Sequence, residues 1–291
     1  MATLRDIRRR IRTVRKTQQI TSAMRMVSAA KLRRAQDAIL AARPYSQRLW
    51  ATIGDVARRQ KGLEHPLLVG SAETRRAEVV VITSDRGLCG GYNANVVKRS
   101  QAEIARLREE YREVAVSCFG RKGQEFFRKR TALAAYWPAG ALIQWQQAGE
   151  VAEHLTRRYL AGEIDQAWVV GCEFVSALTQ TPRAVRVLPF VPEQSVLRDW
   201  RDDEPGPPLE IEPGEAKVLD MLVPLAFEVT LYRVLLENQA GEHAARMTAM
   251  ESATRNTEEL IGSLTLHYNR VRQAAITKEL MEIVSGAEAL K

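Results

Sequence analysis

The chain has 291 residues, of which 45% are hydrophobic and 27% charged, and its formal net charge is +8. This balance is typical of a folded protein and excludes wholesale disorder, and no apolar run reaches the length of about 18 residues that a membrane helix needs. Three widely spaced cysteines and four scattered histidines do not match a disulfide framework or a zinc site. We therefore expect no metal, no direct membrane insertion and a reducing, cytoplasmic-type compartment.

The basic excess lies entirely in the first segment. Residues 1–50 carry thirteen Lys or Arg against two Asp or Glu, whereas residues 51–214 are neutral and residues 215–291 are net acidic. A solvated helix face, a transit peptide, a nucleic-acid contact and an acidic protein partner could each account for it. A transit peptide is disfavoured because the pattern continues without a break past residue 40 and contains only two serines.

Residues 1–43 contain neither proline nor glycine, which favours one long helix. Apolar residues recur there at spacings of three and four, at Leu4, Ile7, Ile11 and Val14. A second apolar row follows at Ile20, Met24 and Val27, while polar residues stand where a clean heptad would place leucine, at Gln18, Thr21 and Ser28. Pro44 is a natural stop or kink. We assign residues 1–60 to an N-terminal coiled-coil helix.

The middle of the chain alternates between apolar runs and amphipathic stretches. Strands are predicted over residues 77–83, 113–119, 141–145, 167–175 and 183–190. Helices are predicted over residues 96–111, 122–130 and 150–160. This alternation predicts a Rossmann-like α/β domain over residues 77–191 with a mostly parallel sheet, whose last strand pairs antiparallel with its predecessor. Residues 192–214 are rich in Pro, Gly and acidic residues and are predicted to form a linker.

The C-terminal segment, residues 215–291, has no proline after Pro224 and is predicted to be a second long helix. Gly241 and Gly262 are possible local breaks, because each costs a helix about 1 kcal/mol relative to alanine. Two such helices at opposite ends of the chain cannot each bury an apolar stripe alone. We therefore predict that they pair as a long antiparallel two-helix coiled coil.

The glycine-rich loop Ser84–Asn95 follows the first strand but fits neither GxGxxG nor the phosphate-binding GxxxxGK[ST] pattern. Asp85 and Arg86 are interpreted as a turn and a surface contact. No histidine lies near Cys89 in the sequence to activate its thiol, so a small side chain packed under the turn is favoured over a nucleophile. The sequence therefore indicates an interaction or mechanical protein, and we predict no catalytic, cofactor-binding or metal-binding residue.

Several long segments resemble the gamma subunits of F-type ATP synthases. The matching segments are Ile11–Gln36, Arg43–Tyr45, the loop Ser84–Asn95, Glu242–Met247 and Tyr268–Gly286. They span essentially the whole chain in the order found in that family. Within the loop Ser84–Asn95, Tyr92 stands where a leucine is expected.

The resemblance implies a non-catalytic central rotor shaft that couples proton-driven rotation of the membrane c-ring to conformational cycling of the catalytic beta subunits and ATP synthesis. The implied partners are the alpha3-beta3 hexamer, the epsilon subunit and the c-ring, with one copy of the chain per complex and no nucleic acid. Implied contacts with the beta subunit are Met24, Arg25, Arg272, Gln273, Thr277 and Glu279. The implied loop of the α/β foot comprises Asp85, Arg86, Gly87, Gly90 and Gly91.

Ordinary structural roles remain open for two of these residues, since Met24 could pack in the helix seam and Glu279 could face solvent or pair locally. The terminal motif begins within the first dozen residues, which predicts no cleaved presequence and a bacterial protein, peripheral on the cytoplasmic face of the inner membrane. A basic coiled-coil protein that binds nucleic acid is the main alternative, and a small α/β enzyme that uses the glycine loop is a weaker one.

Overall fold

The computed structural model describes residues 3–59, 65–70, 75–177, 179–190, 212 and 214–288. The helices are α1 (Leu4–Arg59), α2 (Tyr92–Glu110), α3 (Arg121–Phe127), α4 (Trp145–Leu160) and α5 (Glu215–Glu288). The strands are β1 (Arg76–Ile82), β2 (Glu113–Phe119), β3 (Leu133–Trp137), β4 (Gln166–Phe174) and β5 (Gln180–Leu188). Among these described residues, no helix is long and apolar enough to cross a membrane.

The five strands form one sheet in the order β3-β2-β1-β4-β5. The first four strands of this order are parallel, and β5 pairs antiparallel with β4. The central strand β1 is buried at six of its seven positions because helices cover both faces of the sheet. The predicted α/β class, the mostly parallel sheet and the antiparallel last strand are confirmed.

Each face of the sheet has its own apolar core. On one face, Val80 and Ile82 of β1 pack in a cluster with residues of α4, the end of α1 and the first part of α5. On the other face, Val79 and Val81 pack against α2 and the end of α3. This division follows from the strand period of two, which sends successive side chains of β1 to opposite faces.

One predicted strand is wrong. Residues 141–145 form the approach to α4, because Gly140 has a φ of +72° and Gln144 caps the helix reciprocally with Gln147. The sheet takes its edge strand β3 from Leu133–Trp137 instead. That stretch begins with Leu-Ala-Ala, and alanine favours helix over strand, so the local pattern gave little indication of a strand.

The prolines and glycines of the long helices do not end them. Helix α1 continues through Pro44 to Arg59, and α5 continues through Pro224, Gly241 and Gly262. In the turn that follows Pro44, the hydroxyl of Ser46 donates a hydrogen bond of 2.9 Å to the carbonyl oxygen of Arg43. Pro44 itself has no N–H to donate to the carbonyl group four residues earlier, that of Leu40.

The chain divides into two compact units, and each long helix contributes to both. The terminal unit contains the described residues up to Ser28 and from Met247 onward, and the α/β unit contains Ala29–Arg246. The predicted domain boundaries at residues 60, 77, 191 and 215 stay predictions. The predicted linker, residues 192–214, lies outside the described residues apart from Glu212 and Gly214.

The terminal unit is an antiparallel helix pair. The guanidinium of Arg8 donates a hydrogen bond of 2.9 Å to the hydroxyl of Tyr268, and Thr254 donates one of 2.8 Å to Thr21. The residue number of the α5 partner falls as the residue number in α1 rises, so the two helices run in opposite directions. This pairing confirms the predicted antiparallel coiled coil for the terminal unit.

The seam of this pair differs from the predicted apolar row. The heptad phase set by Leu4–Val14 continues through Gln18, Thr21 and Ser28, and Thr21 and Ser28 are buried. In contrast, Ile20 is 60% exposed and Val27 is 56% exposed, so these two members of the second apolar row do not join the seam, whereas Met24 is half-buried. A constant seven-residue repeat keeps one face toward the partner helix, whatever residue types it carries.

Candidate functional site

The glycine-rich loop lies at the carboxyl end of the parallel strands, between the end of β1 and the start of α2. Its first acidic residue, Asp85, accepts three backbone hydrogen bonds, from the N–H groups of Arg121 at 2.8 Å, Ala139 at 3.3 Å and Gly140 at 2.8 Å. These donors follow strands β2 and β3. Asp85 therefore ties together the segments that leave three adjacent strands.

A buried polar network shapes the inside of the loop. The side-chain oxygen of Asn93 accepts a hydrogen bond of 3.0 Å from the backbone N–H of Ser84, and its amide nitrogen lies 3.2 Å from the sulfur of Cys89. Cys89 is a free, buried cysteine, which agrees with a structural role. Gly90 has a φ of +57°, a conformation that glycine adopts without a steric penalty.

Helix α5 packs directly on this loop. The guanidinium of Arg246 donates hydrogen bonds to the carbonyl oxygens of Arg86 at 3.2 Å and Gly87 at 3.1 Å, and it pairs with Glu242 at 2.7 Å. Burial raises the pKa of Glu242 more than the neighbouring Arg246 lowers it. Arg86 thus contributes through its backbone to the loop's attachment to α5.

A second contact joins α5 to the loop and to β4. The hydroxyl of Tyr92 donates to the backbone oxygen of Asn238 at 2.9 Å, and the side-chain oxygen of Asn238 accepts a hydrogen bond of 2.7 Å from the backbone N–H of Cys172. Burial raises the pKa of the Tyr92 phenol well above its usual value, so the hydroxyl stays protonated and can donate.

These contacts fill the crevice where α/β proteins of this type bind ligands. In open α/β sheets a ligand binds outside the carboxyl ends of the strands, at the point where the strand order reverses. Here that point lies between β1 and β4. Tyr92, Asn238 and Arg246 occupy it, so a helix of the same chain takes the position of a ligand.

The predicted partner-contact residues of the terminal unit are placed as follows. Arg272, Gln273, Thr277 and Glu279 are all exposed, and Met24 and Arg25 are half-buried. Arg25 lies 3.9 Å from Glu251, and both side chains are substantially exposed, so this ion pair contributes little to stability.

The described part of the chain contains no cluster of three or more His, Cys, Asp or Glu that could hold a metal ion.

Sequence reasoning missed Asn238 and Gly171, which meet where α5 contacts β4. A side chain added at Gly171 would place its Cβ 2.5 Å from the amide nitrogen of Asn238. Gly171 lies inside an apolar strand, and an isolated glycine in such a position often marks a close approach of another element. That signal could have identified the contact from the β4 side.

Comparison with known proteins places the chain in a family. A family model described as ATP synthase matches residues 3–290, so the chain belongs to the ATP synthase family. The chain is 48% identical to the ATP synthase gamma chain of Anaeromyxobacter sp. (strain Fw109-5) and 46% identical to that of Pelotomaculum thermopropionicum. Both matches cover the full length of both chains, and the predicted resemblance is confirmed.

Solved structures share the fold. A chain of the Euglena gracilis mitochondrial ATP synthase, from a structure of OSCP, F1 and c-ring, matches with a TM-score of 0.65 and 21% identity over 99% of this chain and 94% of that chain. A chain of the Tetrahymena thermophila mitochondrial ATP synthase central stalk and c-ring matches with a TM-score of 0.58 and 22% identity, over 80% of this chain and 99% of that chain. None of these relatives and structures gives support to the nucleic-acid alternative.

Proposed function

We propose that the chain is the central rotor shaft of a proton-translocating F-type ATP synthase. The observation that carries this proposal is its full-length identity of 44–48% to ATP synthase gamma chains. The antiparallel helix pair of the terminal unit supports it, since two packed helices give a stiffer element than a single helix. In this role the chain couples proton-driven rotation of the c-ring to conformational cycling of the catalytic beta subunits and ATP synthesis.

The chain itself is non-catalytic in this proposal. Its α/β unit has the strand order of a nucleotide-binding fold, but Asn238 and Arg246 of α5 fill the crevice where a nucleotide would bind. The chemistry then belongs to the catalytic subunits of the complex. The chain acts by changing which conformation each of those subunits adopts.

Coupling of this kind requires unequal contacts. A shaft that touched every beta subunit equally would shift no equilibrium, because only a difference in interaction free energy between conformations changes their populations. A helix pair with different residues on each face meets this requirement. Its partners are the alpha3-beta3 hexamer around the terminal unit, and the epsilon subunit and c-ring at the α/β unit.

Two groups of residues are proposed to contact the beta subunits. On α1, Met24 and Arg25 lie beside Ile20 and Val27, whose exposure leaves an apolar and basic surface for a partner. An acidic segment of the beta subunit would complement this surface. The second group lies on α5 and is exposed throughout: Arg272, Gln273, Thr277 and Glu279.

The α5 group lies where the helix pair ends. The α5 residues that lie opposite α1 have higher residue numbers toward the start of α1. Since α1 begins at Leu4, residues of α5 beyond about 272 have no α1 residue opposite them. Ile276, Leu280 and Ile283 of this stretch are exposed. We propose that this unpaired end turns within the hexamer, where it would be covered by the alpha and beta subunits.

The glycine-rich loop is proposed to belong to the foot of the shaft. Asp85 and Gly90 fix its conformation, and Arg86 and Gly87 attach it to α5 through their carbonyl groups. Gly91 precedes α2 directly. We further propose one copy per complex and a peripheral position on the cytoplasmic face of a bacterial inner membrane.

Co-expression with the alpha and beta subunits of the same complex tests the function. We expect a stable assembly that contains three alpha subunits, three beta subunits and one copy of this chain. The variant that combines Arg272→Glu with Gln273→Ala should weaken assembly or ATP-driven proton pumping. The matched control is Lys278→Glu, an exposed residue that lies about 120° around α5 from Arg272 and about 140° from Gln273, and therefore on another face. Wild-type assembly and pumping by the double variant would count against this contact.

A further inference from the structure

Asn238 makes the closest polar contact between α5 and the sheet. Its side chain is almost fully buried, with 4% of its surface exposed, and its amide lies flat against Gly171 of β4. The amide oxygen accepts from the N–H of Cys172, and the amide nitrogen donates to the carbonyl oxygen of Val234 at 2.8 Å. One side chain therefore bonds both to the strand and to its own helix.

Strand β4 can make this contact with α5 because its pairing with β1 ends before Cys172. Strand β1 pairs with β4 only as far as Val81 and Val170, so the N–H of Cys172 lies past the last β1 partner. A buried N–H without an acceptor destabilises the fold, and Asn238 supplies the acceptor. The amide of Asn238 thus continues the sheet's hydrogen bonding into the helix.

The contact differs in kind from the packing that precedes it on α5. Between Leu219 and Leu235, the buried side chains of α5 that pack in the core of the α/β unit are mostly apolar. Apolar burial resists separation but has no preferred direction, whereas a hydrogen bond weakens steeply when its angle changes. Asn238 is therefore suited to fix the rotation of α5 about its own axis against the sheet.

We propose that Asn238, seated against Gly171, is the positioning residue through which turning force on the α/β unit passes into helix α5. This inference rests on the proposed rotor function. The same helix continues to Glu288 and carries the residues proposed to contact the beta subunits. Rotational slip of α5 at Asn238 would therefore let the α/β unit turn without turning the helix.

The test compares the same assembled complexes with and without a mechanical load. ATP hydrolysis by the complex of this chain with alpha and beta subunits measures rotation without load. Protons pumped per ATP hydrolysed by the membrane-bound complex measure rotation under load. We expect Asn238→Ala to leave hydrolysis without load unchanged and to raise the fraction of uncoupled turnovers about tenfold, the change that corresponds to a hydrogen-bond loss of roughly 1.4 kcal/mol.

Gly171→Ala attacks the same contact from the strand. Its Cβ would lie 2.5 Å from the Asn238 amide nitrogen and would displace the amide, so we expect uncoupling like that of Asn238→Ala. In the double variant the clash is gone, and uncoupling should be no greater than in Asn238→Ala alone. Asn238→Asp keeps an acceptor for the Cys172 N–H but replaces the donor to the Val234 carbonyl with a second oxygen, so we expect it to uncouple as well.

The matched control is Thr230→Val, which removes a buried hydrogen bond of 2.8 Å that lies within α5 and reaches no strand. We expect normal coupling from Thr230→Val.

Wild-type coupling in both Asn238→Ala and Gly171→Ala overturns the proposal. An equal loss of hydrolysis and pumping also overturns it, because that result would indicate a merely structural role. If Asn238→Ala does not assemble, Gly171→Ala provides the same readout. Failure of the wild-type chain to assemble with alpha and beta subunits would instead overturn the rotor function, and this proposal with it.

Discussion

Replacement of Asp85 should destabilise the α/β unit, because this one carboxylate holds three strand-end segments together. It accepts two hydrogen bonds of 2.8 Å from Arg121 and Gly140 and a longer one of 3.3 Å from Ala139. A hydrogen bond to a charged group contributes about 1.5–3 kcal/mol, so loss of the two short bonds in Asp85→Ala should cost on the order of 3–6 kcal/mol.

Asp85→Asn should lose about half of this free energy, because only one of its two side-chain positions can still accept a backbone N–H. Urea unfolding of the full chain, followed by tryptophan fluorescence, measures the change, since Trp137 lies two residues before Ala139. The control is Asp37→Ala, an exposed residue on α1, which should stay within about 0.5 kcal/mol of the wild type. A loss below about 1 kcal/mol in Asp85→Ala would refute the assigned role of these bonds.

Three further predictions concern buried or paired polar groups. Glu78→Ala leaves Arg158, now 2.6 Å from the Glu78 carboxylate, without its buried partner and should cost on the order of 3–5 kcal/mol in urea unfolding. Burial alone would raise the pKa of Glu78, but hydrogen bonds and charges lower it overall, so this stabilisation is present above pH 4.5 and is lost as the pH falls further. Burial, with nearby positive charges, lowers the pKa of His243 from 6.5 to about 4, so the wild type should lose up to roughly 3 kcal/mol between pH 6.5 and pH 4 relative to His243→Leu. In the helix pair, Thr21→Val and Thr254→Val should each cost about 1 kcal/mol in thermal unfolding, whereas the double variant should be nearly neutral, and additive losses would contradict a direct bond.

The strands with continuous apolar runs could be predicted from the sequence. The run over residues 77–83 corresponds to β1, and residues 113–119 coincide with β2, because a strand covered on both faces needs apolar residues at nearly every position. Strand β3 could not be found this way. It is a half-buried edge strand, and its covering is set by distant segments that no local pattern describes.

The seam of the terminal helix pair shows a second limit. Apolarity favoured Ile20 and Val27, but the seven-residue phase that starts at Leu4 directs Thr21 and Ser28 toward the partner helix. The phase was available from the sequence. In contrast, Thr254 of α5, which donates a hydrogen bond to Thr21, is 233 residues away in the chain. Whether a polar residue belongs in a seam depends on what lies opposite, and that is decided by the tertiary fold.

The loop between β1 and α2 explains why a nucleotide-type fold can hold a helix instead of a nucleotide. Phosphate-binding loops of this fold class point backbone N–H groups into the crevice, where they meet a negative charge. In this chain the carbonyl oxygens of Arg86 and Gly87 face the crevice, and they accept hydrogen bonds from the guanidinium of Arg246. A phosphate at that position would meet oxygen lone pairs and would have to displace a buried arginine from its carboxylate partner, Glu242. The polarity of the loop is thus reversed, and the position that binds a ligand in related folds instead anchors α5 to the α/β unit.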